Sequence, residues 1–173
     1  TIESEPREVD MVFSALPHKS SGDEVIPLIE SDTKVVDLSA DFRLSDPSVY
    51  EEWYKVAHPS PGLQEEAVYG LTELYRPKIA SSRLVANPGC YPTSAILALA
   101  PLVKEGLISA QIIVDSKSGV SGAGRSLNLN THFSEVNENV SAYAIQGHRH
   151  LPEITQELGR YADSFNPKIT FLP

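Results

Sequence analysis

One cysteine in 173 residues stands within the stretch VANPGCYPTSAILALAP (Val85–Pro101). Cys90 follows Pro88-Gly89 and precedes Tyr91-Pro92, where a short strand gives way to an apolar helix. A proline disfavours helical geometry in the residue before it, here Asn87 and Tyr91. Gly89 is free to take positive φ. Pro92 suits a first helical position, which makes Tyr91 the N-cap and leaves Cys90 just outside. A sulfur placed there faces unpaired backbone N–H groups and the positive end of the helix dipole, a setting that favours a nucleophilic thiolate. Most free cysteines are small buried apolar residues. A structural cysteine, however, has no need of Pro-Gly before it and Tyr-Pro after it.

A cysteine nucleophile needs a proton-transfer partner. The stretch GHRHLPEI offers His148 and His150, followed by Pro152 at a helix start and Glu153 in its first turn. In an extended segment, residues two apart share a side, so either imidazole is able to face the thiol, and Glu153 is placed to orient one of them. A His-x-His pair also raises the question of zinc, which takes three or four ligands. His18, His58 and His132 are scattered, so no metal is expected. The loop SGVSGAGR carries Gly119, Gly122 and Gly124 in the spacing G-x-x-G-x-G. This is neither the dinucleotide fingerprint G-x-G-x-x-G nor a Walker A loop. It still lets a ligand approach the backbone, and Arg125 is able to clamp a phosphate or carboxylate.

The elements that must position these residues alternate. VDMVFSAL (Val9–Leu16) reads as a buried strand, GDEVIPLIES as a short, proline-interrupted helix and TKVVDLSA (Thr33–Ala40) as a second strand. That order implies a right-handed crossover in a parallel sheet, and such sheets bind ligands at the carboxyl ends of their strands. Those ends carry LPHKSSG and SADFRL. Ser45–Pro61 reads as a long surface excursion. Arg83–Asn87 is a short strand, and Thr93–Val103 is a helix apolar on nearly all sides, hence buried. AQIIVDSKS and NVSAYAI read as strands, PEITQELGRYA as a helix and KITFLP as a last strand.

Composition bounds the possibilities. Hydrophobic residues make up 41% of the chain, which supports a globular core. A formal net charge of −9 argues against nucleic acid and anionic membrane as partners. No apolar run approaches the roughly 18 residues of a membrane span. A lone cysteine forms no internal disulfide, and the acidic TIESEPREVD is neither a signal nor a transit peptide. A cytoplasmic location is expected, with a plastid the alternative for a plant source.

Together these stretches resemble the N-acetyl-gamma-glutamyl-phosphate reductase family of arginine biosynthesis. Val85–Pro101 is similar to that family's active-site signature, with Ser94 where the family usually has glycine or alanine. ALPHKSS, DLSADFRL, VYGLTEL, SGVSGAGR and AYAIQGHRHLPEI resemble the family in the same order, so the likeness runs from about Val9 to the end. The fold it implies is α/β: part of a Rossmann-like parallel-sheet NADP-binding domain over residues 1–89, then part of a glyceraldehyde-phosphate-dehydrogenase-like α+β catalytic domain over residues 90–173.

The activity it implies is NADPH-dependent reduction of N-acetylglutamyl 5-phosphate to the 5-semialdehyde, with phosphate release through a thioester on Cys90. His150, or failing that His148, transfers the proton. The nicotinamide of NADP lies near Cys90 and Ser118–Gly119, flanked by Leu16, Pro17 and His18. Arg43, Asn87, Arg125, Tyr143, Arg149 and Glu153 are the candidates that meet the substrate. The family's glycine-rich strand–turn–helix for the pyrophosphate does not occur in these 173 residues. The chain is therefore expected to be the middle of a longer enzyme, weak toward NADPH and largely inactive by itself, and homo-oligomeric at full length. Two other readings stand beside this one. One is a reductase of a related acyl phosphate, aminoadipate-type or aspartyl, although the HRH segment favours the arginine enzyme over the aspartyl one. The other is an inactive fragment or subunit-contact module, against which stand the intact Cys90 and His150.

Overall fold

The computed structural model describes residues 9–162 and 164–173, so all but the last two residues of the acidic N-terminal stretch lie outside it. Four parallel strands form the first sheet: β1 (Met11–Ser14), β2 (Lys34–Asp37), β3 (Val68–Tyr69) and β4 (Leu84–Ala86), in the order β1-β2-β4-β3. Helix α1 (Ser21–Glu30) makes the crossover from β1 to β2. Its Val25 and Ile29 pack with Val35, Phe42, Leu84 and Ala86 on one face of the sheet. The parallel crossover and all the strands expected in this half are present, but β1 is not the buried strand expected: it lies at the sheet edge with Met11 and Phe13 exposed, because no further strand covers it among the described residues. β3 and α4 (Thr72–Ser81), which carry VYGLTEL, complete it.

The turn after β2 is built by two buried carboxylates. Asp37 accepts hydrogen bonds from Ser21 Oγ and Ser39 Oγ, both at 2.6 Å. Asp41 accepts from the backbone N–H of Lys19 and Gly22 and from Tyr50 Oη at 2.9 Å. These bonds satisfy backbone donors that a buried loop would otherwise strand, and they lash the LPHKSSG and DLSADFR loops together.

The segment read as a surface excursion is helical and anchored. In α2 (Pro47–Tyr54), Asp46 caps the Ser48 N–H at 2.8 Å and Pro47 opens the first turn. Tyr50 and Tyr54, one helical turn apart, are buried with Ala40 and Leu44. A Pro/Ser/charge-rich composition masked that spacing of i and i+4. A short α3 (Pro61–Glu66) follows.

Helix α5 (Cys90–Lys104) begins earlier than the prolines suggest. Gly89 is its N-cap with φ −67°, so no positive φ is needed, and Cys90 and Tyr91 lie inside the first turn. The first-turn N–H groups have no intrahelical acceptor in any case, so Pro92 is tolerated as the third helical residue. Thr93 makes the first i→i−4 bond, to Gly89 O at 2.9 Å. Only one face of α5 is buried: Tyr91, Ala95, Ile96, Ala100 and Val103 meet β5 (Gln111–Asp115), α7 (Leu151–Tyr161) and β6 (Lys168–Leu172), while Leu102 is exposed. β5 and β6 pair in parallel as a separate two-stranded sheet.

Residues 116–147 form an exposed connection with two 3-10 turns, Val120–Ala123 and Leu129–Thr131, and a four-residue α6 (Phe133–Val136). NVSAYAI is not a strand. Ala144 has φ +45° and accepts from Gly147 N–H, and a strand cannot form where no ladder partner runs beside it. Among the described residues no helix is long and apolar enough to cross a membrane.

His58 is buried, its ring edge-on to Phe42 and Tyr50, with Nδ1 accepting from Ser60 N–H. Burial holds its pKa below the ordinary 6.5. The unfolded chain therefore binds a proton that the folded chain resists. Stability is full above that ordinary pKa and declines as pH falls below it. Melting temperatures measured from pH 7.5 down to pH 5 should fall, and His58→Gln should melt lower at pH 7.5 but with a shallower decline.

Candidate active site

Cys90 is exposed, at the first position of α5, where the helix dipole and free backbone N–H groups converge. The structure brings both histidines against the residues that flank it, Gly89 and Tyr91. The His148 and His150 rings lie 4.7 Å apart between centroids, and both stand edge-on to the ring of Tyr91, at 5.6 and 5.8 Å. His150 Nε2 packs directly against Gly89: a Cβ placed there would lie 2.7 Å from Nε2 and 3.0 Å from Arg43 Nη1. Close approach, rather than backbone conformation, is what requires glycine before the cysteine.

Two different environments hold the imidazoles neutral. Burial first, then the charges of His148, Arg43 and Arg149, push the pKa of His150 down to about 3. Burial and Arg149 lower that of His148. His148 Nδ1 accepts from the His150 backbone N–H at 3.1 Å, which leaves its proton on Nε2.

Glu153, expected to orient a histidine or meet substrate, faces elsewhere. It is buried at the start of α7, and its Oε1 accepts from Gly89 N–H at 2.8 Å and from Tyr69 Oη at 2.6 Å. Its Oε2 is 3.6 Å from Arg43 Nη1. Burial raises its pKa, opposed by Arg43 and by those two hydrogen bonds. Arg43 in turn donates from Nε to Asn87 O at 2.7 Å and from Nη2 to Leu38 O at 2.9 Å. Arg43, Asn87 and Glu153 thus form one cluster beneath the Pro88-Gly89 turn. Gln156, one turn further along α7, adds bonds to Ser45 and to the carbonyl of Arg43.

The cations divide by exposure. Arg149 is exposed, donating to His18 Nε2 at 2.6 Å across the carboxyl end of β1. That requires His18 Nε2 to be unprotonated, and burial and Arg149 both lower the His18 pKa. Arg125 sits on the exposed connection and makes no hydrogen bond or ion pair among the described residues. Leu16 and Pro17 are exposed at the end of β1, and Ser118 and Gly119 just past the end of β5. A Cβ at Gly119 would meet nothing closer than 3.9 Å, so that turn is open to a ligand.

Tyr143 Oη donates to Tyr91 Oη at 3.0 Å, and Tyr91 Oη donates to Ser118 Oγ at 2.8 Å. Local sequence gives no sign of Tyr69 and marks Tyr91 only as a cap. A tyrosine beside the cysteine was the available signal, but hydroxyl partners 27 and 52 residues away have no trace in local spacing.

A parallel sheet with exposed loops at its strand ends, joined through a cysteine-bearing helix start to a second, histidine-bearing unit, is the layout of a two-part dehydrogenase. The chain belongs to the semialdehyde dehydrogenase family: residues 1–82 match its NAD-binding domain and residues 90–173 its dimerisation domain. Within that family its relatives are N-acetyl-gamma-glutamyl-phosphate reductases. Those of Dehalococcoides mccartyi and Alkaliphilus metalliredigens are each 55% identical to it, over 96% and 91% of the chain. That of Methanopyrus kandleri is 54% identical over 90%. The aligned part is 49%, 46% and 45% of those proteins, so the chain spans about half the length of the curated relatives it matches. The first of these family models is described as an NAD-binding domain and the second as a dimerisation domain.

Gly89→Ala should drive a methyl group into His150 and Arg43. Overpacking of this kind costs about 1–3 kcal/mol. The expected outcome is a lower denaturation midpoint together with slower alkylation of Cys90 by iodoacetamide, because the turn that presents the sulfur must shift. Unchanged values for both would show that the turn accommodates a side chain.

Proposed function

We propose that this chain carries the catalytic centre of an NADPH-dependent N-acetylglutamyl-phosphate reductase, with residues 1–89 contributing to the dinucleotide-binding domain and residues 90–173 to the catalytic domain. The observation that carries this reading is the juxtaposition of an exposed cysteine at a helix start with two neutral imidazoles, one of them against the preceding glycine. It is the nucleophile–base pair that acyl transfer needs. The names of the relatives supply the acyl phosphate.

The chemistry runs on this chain's own groups. A neutral imidazole, His150 by its contact with Gly89, takes the proton from Cys90. The anions that gather beside it, thiolate and then phosphate, strengthen its hold on that proton. The thiolate sulfur adds to the acyl carbonyl, the carbon–oxygen bond to phosphate breaks, and phosphate leaves with the electron pair, giving a thioester on Cys90. Reduced nicotinamide, when bound, supplies the hydride. The imidazolium returns its proton as the carbon–sulfur bond breaks and the semialdehyde departs.

The residues present fit the nicotinamide end of the cofactor: Ser118 and Gly119 form an open turn beside Tyr91, and Leu16, Pro17 and His18 stand at a strand's carboxyl end. Arg149, between the histidines, is the exposed cation nearest the chemistry, and Arg125 and Tyr143 complete the candidates that meet the substrate. Arg43, Asn87 and Glu153 act on the substrate through the turn they hold. The enzyme works as a cytoplasmic homo-oligomer. These 173 residues lack the G-x-G-x-x-G turn, so calorimetric titration with NADPH should show binding weaker than micromolar. Micromolar binding would mean that another part of the sequence cradles the diphosphate.

Cys90→Ser in the full-length reductase should abolish semialdehyde formation. His150→Asn should slow it by about 10²–10⁴-fold, the usual contribution of a general acid–base group, and His148→Asn by less. Turnover with N-acetylglutamyl phosphate and NADPH is the measurement. Near-normal turnover in Cys90→Ser removes the covalent route, and full turnover in both histidine variants removes proton transfer by either imidazole.

A further inference from the structure

The exposed connection of residues 118–147 touches the body of the protein at few places. Its hydrogen bonds to the rest of the described chain are Tyr143 N–H to Pro173 O at 3.4 Å and the two made at the Tyr91 hydroxyl. The first is long, and every other hydrogen bond of the segment closes within it, as in Gly122 to Gly119 and Gly147 to Ala144. The Tyr91 hydroxyl is therefore where both flanks of the connection are pinned. It accepts from Tyr143 on one flank and donates to Ser118 on the other.

The ring of Tyr91 is fixed in turn. It is buried, and edge-on to His148, His150 and Phe171 of β6, the last at 5.4 Å. Its backbone sits one residue after Cys90 in the first turn of α5. One side chain thus touches both imidazoles, the turn that carries Ser118 and Gly119, and the loop that carries Tyr143.

We propose that Tyr91 is a positioning residue. Its hydroxyl draws the Ser118–Gly119 turn and the Tyr143 loop onto the start of α5, so that the open cofactor-side turn is held at a set distance from Cys90 and the histidine pair. This inference rests on the reductase reading for its kinetic consequence, but not for the pin itself.

Tyr91→Phe in the full-length enzyme tests it, because the ring and its aromatic contacts remain and only the hydroxyl is lost. Hydrogen–deuterium exchange should quicken across residues 118–124 and 141–147 and stay unchanged in α5 and β5. With two neutral hydrogen bonds removed, kcat/KM for NADPH should fall about tenfold. The fall should appear as a higher KM for NADPH and a lower kcat. A tyrosine that only packs would leave exchange and both constants as in the parent protein, and that result overturns the proposal. Faster exchange with unchanged kinetics would overturn the positioning role, and altered kinetics with unchanged exchange would overturn the pin. If the parent enzyme fails to reduce N-acetylglutamyl phosphate while the exchange effect is present, the functional reading falls and the pin stands.

Discussion

The carboxylate of Glu153 is the constraint on which the site depends. It leaves the start of α7, reaches the N-cap of α5 and accepts the Gly89 N–H, while Arg43 approaches from the turn after β2 and Tyr69 from strand β3. One buried group therefore joins the sheet, the cysteine helix and the histidine helix at a single point. Buried this deeply, the carboxylate has to be fully satisfied, because an unpaired acceptor or charge there costs several kcal/mol. Satisfying it fixes the geometry of everything it touches. The absence of a Cβ on Gly89 completes the arrangement by letting His150 close over the turn.

The cations around the site follow from the same economy of burial. Arg43 spends its donors on Asn87, Leu38 and Glu153, which makes it part of the frame. Arg149 stays at the surface with His18 and Tyr54, free to exchange partners for an anion. The positive field of both reaches His150 and, together with burial, keeps that imidazole unprotonated. A neutral imidazole beside a helix start is suited to accept a proton from a thiol.

The aromatic cluster adds a second layer. Tyr91, Tyr143 and Phe171 surround His148, so the imidazole orientation is set by packing as much as by hydrogen bonds. Phe171 also brings β6, a distant stretch of sequence, into the wall of the site. The two-stranded sheet thereby supports the site with its buried face while Ile113 on the other face stays exposed.

The order of strands and helices was legible in the sequence because apolar runs and their Gly/Pro punctuation are local signals. β1, α1, β2, β4, β5, α7 and β6 all follow from them. So did Cys90 and the histidine pair, since a lone cysteine between turn residues and a His-x-His before a helix are visible in short windows. What remained hidden depends on distant partners. Tyr50 and Tyr54 turn a polar-looking excursion into a buried helix only because Ala40 and Leu44 are there to cover them. NVSAYAI has the alternation of a strand, yet lacks a neighbour to pair with. Proline rules placed the start of α5 two residues too late, because they cannot see that a carboxylate 64 residues away caps the Gly89 N–H. Chemistry was thus written in residue types and short spacings. Which charged groups frame the candidate site and which stay at the surface was decided by burial, a property of the tertiary structure alone.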